Sequence, residues 1–300
     1  MFLEAAGILT VHLGGNKETM MNIQRIAAFS KGNTGGNPAG VVICDEMPLE
    51  KDMLNTAKQV GYSETAFLSP YKEGWRIRYF SPEIEVEFCG HATIASGVVL
   101  GERFGEGMYA LFLNNGEISV DVIKSLSGTY SAALQSPETW SDVAPQVYVK
   151  DILSQFQLDT ADIDPNFPVR FAFAGAKHLV IVLKDRQTLS EMNYHFENTK
   201  ALMLKEDVAT ISLLWPESEE VFHSRNAFAP GGVYEDPATG AAAAALAGYL
   251  RDIDWQGKRK FEIIQGEDMG CPSRLFVEYT LTPGESIKVS GETRSISNEN

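Results

Sequence analysis

The sequence predicts an α+β fold of two pseudosymmetric domains, each a curved sheet or barrel around one central buried helix. Three observations lead to this prediction. A pattern from the first half of the chain recurs in the second half, and in both halves a run of small residues follows a short turn. Short strand-like segments separated by Gly, Asn and Pro turns make up most of the remaining sequence.

The internal repeat is the first of these observations. "FSPEIEVE" at residues 80–87 and "FAPGGVYE" at residues 228–235 share Phe, Pro and Glu at identical spacing. A weaker sequence match pairs "GNPAGVVI" from Gly36 with "GAKHLVIV" from Gly175. Two matches in the same order favour two copies of one domain, although two unrelated domains with coincident turns would also produce them.

The repeat also predicts the domain boundaries. The first domain is expected at residues 21–130 and the second at residues 145–290, joined near "SPETWSDVAPQ". Residues 1–20 are expected to form an N-terminal extension outside the fold. This extension lacks a basic segment and a long apolar core, so it does not fit a secretory signal peptide.

The predicted strands of the first copy are short and end at turn residues. In chain order they read "NIQRIAAFS", "AGVVICD", "ETAFLSP", "WRIRYFSP", "YALFLNN" and "EISVDVI". The two copies are offset by 148 residues, from Phe80 to Phe228, which is too long for one repeat of a solenoid. The strands of each copy are therefore expected to form one sheet.

Only two or three segments look helical. "LEKDMLNTAKQVG" is amphipathic and ends before Gly61, as a surface helix with a C-terminal glycine does. "HATIASGVVLGERF" and "TGAAAAALAGYLRDI" instead carry Ala, Ser and Gly around much of their circumference. A helix without a charged face is expected to be buried, and its small side chains let sheet backbone approach closely.

The starts of these two buried helices predict a ligand site. A helix N-terminus presents unpaired N–H groups and about half a positive charge. If both helices point their first residues toward a cleft between the domains, these groups converge and can bind a carboxylate or phosphate. The residues expected to bind the ligand there are Gly90, Ala92, Thr239, Gly240 and Ala241.

Three titratable residues are candidates for acid/base chemistry, and each has an ordinary alternative. Glu64 in "YSETAFLSP" also fits a solvent-facing position in a half-exposed strand. His91 can exchange a proton near pH 7, but it also fits a structural histidine. Asp236 is a good helix N-cap by residue type. Composition and spacing leave all three open.

Four segments resemble the signature segments of the PhzF-like isomerases of phenazine biosynthesis, in the same order. They are "GNTGGNPAGVV", "SETAF", "IRYFSPEIEVEFCGHATIAS" and "FAPGGVYEDPATGAAAAAL". The resemblance extends from Met21 to about Ser290. It implies a diaminopimelate epimerase-like fold with the active site between two domains. It also implies a cofactor-independent isomerisation, in which a carboxylate moves a proton between carbons of a small carboxylated substrate.

Carried over residue by residue, the resemblance implies a role for each candidate. Glu64 would be the general acid/base, with His91 and Asp236 holding the substrate or assisting the transfer. Burial would raise the pKa of the Glu64 carboxyl, while the helix starts would lower it. The family pattern commonly continues "DPATGS", whereas this chain has Ala241, so a hydroxyl contact is missing and the substrate is left open.

Two alternative functions remain at this point. One is an amino-acid epimerase or racemase that uses Glu64 and Cys89 as its two bases. Related epimerases use two facing thiols, but the repeat aligns Cys89 with Pro237, which disfavours a two-thiol mechanism and predicts a buried, apolar role for Cys89. The other alternative is a non-catalytic protein of the same fold that binds a small anion.

Composition excludes several function classes. The net charge of -15 over 300 residues repels nucleic acids and anionic membrane surfaces. Three cysteines without a C-x-x-C pair indicate a reducing cytoplasm, and no apolar run is long enough to span a bilayer. The histidines lack metal-ligand spacing, and neither a P-loop nor a Rossmann fingerprint is found. We therefore expect no metal, no cofactor, a small anionic substrate and, from the resemblance, a homodimer.

Overall fold

The computed structural model describes residues 8–12, 18–126 and 128–297. The strands are β1 (Ile8–His12), β2 (Glu18–Ser30), β3 (Asn37–Ile43), β4 (Glu64–Tyr71), β5 (Gly74–Phe80), β6 (Glu85–Val86), β7 (Gly107–Leu113), β8 (Gly116–Lys124), β9 (Tyr130–Gln135), β10 (Trp140–Val143), β11 (Arg170–Phe173), β12 (Lys177–Val182), β13 (Thr210–Pro216), β14 (Val221–Ala227), β15 (Glu235–Asp236), β16 (Lys260–Gln265), β17 (Ser273–Glu278) and β18 (Lys288–Ser295). The helices are α1 (Glu50–Val60), α2 (Gly90–Phe104), α3 (Gln146–Gln155), α4 (Arg186–Ser190), α5 (Phe196–Lys205) and α6 (Gly240–Asp252).

The first half of the chain forms a closed barrel around α2. Hydrogen-bonded neighbours run from β2 through β3, β4, β5, β7, β8, β9 and β18, and β18 pairs with β2 again. The pairs β3–β4 and β5–β7 are parallel, and the other pairs of the ring are antiparallel. Residues 90–101 of α2 are all buried, so this helix fills the barrel as the sequence predicts.

The second half repeats this pattern around α6. Its strands run from β11 through β12, β13, β14, β16 and β17 to β18, and again the second and fourth pairs, β12–β13 and β14–β16, are parallel. Residues 240–251 of α6 are buried. The predicted α+β class with two pseudosymmetric units is therefore confirmed, whereas the boundaries at 21–130 and 145–290 stay predictions.

One strand belongs to both halves. In β18, residues 288–291 pair with β9 of the first half, and residues 288–290 also pair with β17 of the second. The end of β18 pairs with β2. The last strand of the chain thus closes the first barrel and extends the second sheet.

Some elements differ from the sequence-based expectation. The three predicted helices are present, and Gly61 ends α1 in the left-handed conformation, with its N–H donating to the carbonyl of Ala57. The prediction of only two or three helices was wrong, because α3, α4 and α5 lie outside the second sheet, where α3 and α5 bury only a few side chains each. The predicted linker contains β10, and β1 in the predicted extension pairs with β2.

The register of the repeat also differs from the prediction. Phe80 pairs with Glu85 in the first half, whereas Ala227 pairs with Glu235 in the second. The second turn is therefore three residues longer, and the counterpart of Glu235 is Glu85, not Glu87. Strand pairing fixes register by the alternation of side chains across the sheet, which outweighs the identity of residues in a connecting turn.

Candidate active site

The starts of α2 and α6 face each other at the centre of the molecule. A Cβ atom placed on Gly90 would lie 2.8 Å from Cα of Gly240 and 2.8 Å from the backbone nitrogen of Ala241. Only glycine permits this approach of the two backbones. The helix starts therefore converge, and their unpaired N–H groups are concentrated in one place.

Glu64 lies beside these helix starts because it begins β4. Side chains alternate along the strand, and Glu64 shares its face with Ala66 and Leu68, which pack in the core around α2. Glu64 is only 5% exposed, so it is not a solvent-facing strand residue. Burial raises the pKa of its carboxyl, and hydrogen bonds with Ser63 and Cys89 oppose the shift.

His91, the second residue of α2, contacts Glu64. Its Nε2 lies 3.4 Å from Glu64 Oε2, and its Nδ1 lies 3.1 Å from Asn37 Nδ2 and 3.3 Å from Cys89 Sγ. Burial lowers the pKa of His91 to about 3. The imidazole is therefore neutral at pH 7, and its contact with Glu64 is not an ion pair.

Asp236 is held at the start of the second buried helix. Asn37 Nδ2 donates to its Oδ1 at 2.8 Å, and the hydroxyl of Thr239 donates to its Oδ2 at 2.5 Å. Burial, together with the charge of Glu64, raises the pKa of Asp236 from 3.8 to about 7. Its carboxyl binds the Thr239 side chain instead of capping a helix N–H, so the N-cap interpretation was wrong.

A cleft of about 440 Å³ opens over these groups, and residues from both halves of the chain line it. Its walls include all three acid/base candidates and four of the five predicted ligand-binding residues: Glu64, His91, Asp236, Gly90, Thr239, Gly240 and Ala241. The fifth, Ala92, is fully buried in the core behind the helix start. The roles of these residues stay predictions.

The sequence analysis missed two polar residues that connect the candidates. Asn37 contacts both His91 and Asp236, which lie in different halves of the chain. Gln265, at the end of β16, donates to the carbonyl of Asp236 at 2.7 Å and accepts from the N–H of Thr239 at 3.2 Å. Asn37 lies in the Gly-rich segment "GNTGGNPAGVV", which contributed to the repeat and the family resemblance but not to the predicted site, and nothing around Gln265 in the sequence marks it.

Cys89 differs from its predicted alignment but not from its predicted burial. The residues that precede α2 and α6 are Cys89 and Thr239, so the structure aligns Cys89 with Thr239 instead of Pro237. Cys89 is 6% exposed, and burial raises the pKa of its thiol well above its ordinary value. A thiol in this environment stays protonated at neutral pH.

Donor atoms of Glu64, Cys89 and His91 lie within 4.8 Å of one another, close enough to share one metal ion. This combination of oxygen, sulfur and nitrogen donors is of the kind that zinc accepts. The expectation that no metal binds stays a prediction.

The model of the PhzC-PhzF family, described as phenazine biosynthesis-like protein, matches residues 26–298. The chain belongs to this family. One relative is the trans-2,3-dihydro-3-hydroxyanthranilate isomerase of Pseudomonas aeruginosa, 29% identical over 88% of this chain and 91% of the relative. The family resemblance and the prediction of an isomerase are thus confirmed.

Solved structures share the fold of this PhzF-family chain. A PhzF-family protein from Bacillus anthracis has a TM-score of 0.76 at 21% identity, covering 92% of this chain and 96% of the other. A probable proline racemase from Agrobacterium radiobacter has a TM-score of 0.64 at 10% identity, covering 91% of this chain and 90% of the other. Among the residues that the structure describes, no helix combines the length and apolar character needed to cross a membrane.

Proposed function

We propose that this PhzF-family protein isomerises a small carboxylated substrate by moving a proton between two of its carbons, with Glu64 as the general acid/base. The observation that carries the proposal is a buried carboxyl with a raised pKa, in contact with a neutral histidine, on the wall of a cleft where two helix starts meet. Such a carboxyl can both accept and return a proton near neutral pH.

The helix starts support binding of the substrate carboxylate. Backbone N–H groups at residues 90–92 and 240–242 belong to the first turns of α2 and α6, ahead of the first intrahelical donors, Thr93 and Ala243, and these turns face one another. The two partial positive charges attract an anion locally, despite the net charge of -15 on the whole chain. Charge that develops on the substrate during the reaction would be stabilised by the same groups.

The proton transfer balances without any other reactant. The ionised carboxylate of Glu64 removes a proton from one carbon, and the electron pair of that C–H bond shifts into a new double bond. The original double bond supplies the electron pair that takes the proton back from Glu64 at the distant carbon. Substrate and product are then isomers, and Glu64 regains its charge.

Asp236 supports this cycle through its coupling to Glu64. The charge of Glu64 contributes to the raised pKa of Asp236, so the two buried carboxyls resist being ionised together. Ionisation of Glu64 therefore favours the protonated form of Asp236. Asn37, which contacts both His91 and Asp236, keeps the two sides of the cleft in a fixed arrangement.

The test replaces Glu64 by Gln, which keeps the shape but cannot carry the proton. Trans-2,3-dihydro-3-hydroxyanthranilate and a panel of small unsaturated acids are incubated in D₂O, and deuterium at carbon is followed by NMR. We expect incorporation with wild type, loss of at least about 100-fold with Glu64→Gln, and similar ligand affinity in both. Glu87→Gln, the same change at an exposed position of the cleft wall, should retain activity. Undiminished turnover by Glu64→Gln would exclude Glu64 as the base.

The geometry disfavours an epimerase that uses Glu64 and Cys89. Two bases that act on opposite faces of one carbon each lie about 3 Å from it, so they stand roughly 6 Å apart. The donor atoms of Glu64 and Cys89 lie within 4.8 Å of each other, and the two side chains are hydrogen-bonded. Deuterium exchange at a chiral α-carbon without migration of a double bond would favour this alternative.

A non-catalytic anion-binding protein is the second alternative, motivated by the missing hydroxyl at Ala241. It predicts that wild type binds small carboxylic acids but never exchanges their protons with D₂O. The homodimer and the cytoplasmic location stay predictions, and size-exclusion chromatography with light scattering measures the first of them directly.

A further inference from the structure

His178 is a buried histidine of the cleft wall that the proposed proton transfer does not use. It is 1% exposed, and its Nδ1 lies 2.8 Å from the hydroxyl oxygen of Thr210. Thr210 lines the same cleft. Burial lowers the pKa of His178 to about 3, so its ring is neutral and offers one donor and one acceptor.

The second ring nitrogen of His178 has no hydrogen-bond partner in the described structure. A buried polar atom without a partner destabilises the folded state, and most such atoms in folded proteins are paired. The Nδ1 contact fixes the ring. Nε2 itself is enclosed by protein, so a ligand can satisfy it only by reaching into the cleft wall at His178.

In the two-fold pattern of the chain, His178 is the counterpart of Ala39 and Thr210 is the counterpart of Glu64. In the first half, the first parallel pair of β3 and β4 is Ala39 with Glu64. In the second half, the first parallel pair of β12 and β13 is His178 with Thr210. Glu64, His178 and Thr210 all line the one cleft to which both halves contribute.

His178 also lies on the inner face of its strand. Val180 and Val182 share its side of β12 and pack in the core around the buried helices, whereas Leu179 and Ile181 pack in a separate outer cluster. The ring is therefore on the face of β12 that corresponds to the Glu64 face of β4.

We propose that His178 is a substrate-positioning residue, whose Nε2 forms a hydrogen bond with an uncharged polar group of the substrate, such as a hydroxyl, while the helix starts hold the carboxylate. The inference rests on the proposed function and narrows it to acids that carry a second polar group. An uncharged group is favoured because His178 is neutral and a charge would be costly to bury beside it. Thr210 orients the ring.

The experiment measures binding of benzoate and of the three monohydroxybenzoates by calorimetry. We expect at least one hydroxybenzoate to bind wild type about three- to tenfold more tightly than benzoate, the range for one neutral hydrogen bond. His178→Leu should abolish that difference and leave benzoate affinity unchanged. His178→Gln, whose amide can reach the position of Nε2, should retain most of it, and Thr210→Val should reduce it.

The outcomes separate this inference from the function on which it rests. Persistence of the hydroxyl preference in His178→Leu, or benzoate binding with no preference among the wild-type ligands, would overturn the role of His178 alone. Failure of all four acids to bind wild type would count against the carboxylate site itself, and the inference would fall with it. Thermal unfolding of each variant verifies that it is folded.

Discussion

Glu64, His91 and Asp236 titrate outside their ordinary ranges because each is almost completely buried. Burial disfavours the charged form, which raises the pKa of both carboxyls and lowers that of the histidine. For His91, the stability gained from keeping the ring neutral is lost as the pH falls below 6.5 toward about 3. The site therefore favours a cluster with little charge when no substrate is bound.

Asp236 gives the opposite pH dependence. Between pH 3.8 and about 7 the folded protein binds a proton that the unfolded chain has released. This contribution to stability is fully present below pH 3.8 and is lost as the pH rises through 7. We expect the free energy of unfolding of Asp236→Asn, relative to that of wild type, to be roughly 2–4 kcal/mol higher at pH 8 than at pH 5. Urea unfolding of both proteins at both pH values measures this difference.

The control for this prediction is Asp151→Asn, the same change at an exposed position on α3. Its difference from wild type should be equal at pH 5 and pH 8. If the stability difference between Asp236→Asn and wild type is also the same at pH 5 and pH 8, the pKa of Asp236 is not raised in the folded protein.

Sequence and structure agree unevenly at the level of single residues. The family resemblance pointed to Glu64, His91 and Asp236, which line one cleft, because each lies in a short motif that can be read locally. Asn37 and His178 were not singled out, because their contacts are with partners far away in the chain. Asn37 lies 199 positions from Asp236, and only the packing of the two halves brings them together.

At the scale of elements, the close approach of α2 and α6 forms the proposed anion site. A methyl group on Gly90 would meet backbone atoms of the opposite helix at 2.8 Å, and backbone cannot rotate away as a side chain can. We expect Gly90→Ala to cost about 1–3 kcal/mol of unfolding free energy and also to weaken carboxylate binding, since the helix starts must separate.

Gly97→Ala is the matched control on the same helix. Its added methyl group would meet the side chain of Val120 at 2.6 Å, away from the helix start. Calorimetry with benzoate should show normal affinity for this variant despite its lower stability. If Gly90→Ala binds benzoate as tightly as wild type does, the spacing of the helix starts does not control binding.

Each half of the molecule contains an equivalent Arg–Glu pair that binds its two-residue strand, β6 or β15, to the neighbouring strand. Arg78 binds Glu85 through two nitrogens at 2.7 and 2.5 Å, and Arg225 binds Glu235 in the same way at 3.0 and 2.5 Å. The spacing differs, seven residues in one half and ten in the other. A repeat search at fixed spacing therefore misses this pair, which explains why the predicted register was wrong.

The two pairs are expected to contribute unequally to stability. Arg225 and Glu235 side chains are 10% and 4% exposed, whereas those of Arg78 and Glu85 are 17% and 21% exposed. Arg225→Met leaves a buried carboxylate without its partner and should cost about 3–5 kcal/mol. Arg78→Met should cost about 1 kcal/mol, because water reaches the remaining carboxylate. Urea unfolding compares the two, and equal losses would contradict this account.

At the scale of the whole molecule, the fold class was predictable and the joining of the halves was not. The small-residue helices and the repeat indicated two similar sheets, because burial on all sides requires small residues and leaves a clear compositional pattern. The double pairing of β18 leaves no such pattern. Val289 has its Cα opposite both Leu134 of the first half and Val277 of the second.

This shared strand predicts that the two halves unfold as one unit. Met53 is fully buried and packs only in the first half, between α1 and the outside of the barrel. Met53→Ala should cost about 2–5 kcal/mol. Because the halves are joined through β18, hydrogen exchange measured by mass spectrometry should accelerate by the same factor in β8 and in β16.

Val289→Ala is the positive control, since Val289 is completely buried and belongs to both halves. It should accelerate exchange in β8 and β16 whether or not the halves are coupled. Met53→Ala distinguishes the two cases: faster exchange confined to β8 would mean that the halves unfold independently. Equal acceleration would mean that the cleft between the helix starts persists only while both halves are folded, because loss of either one exposes β18.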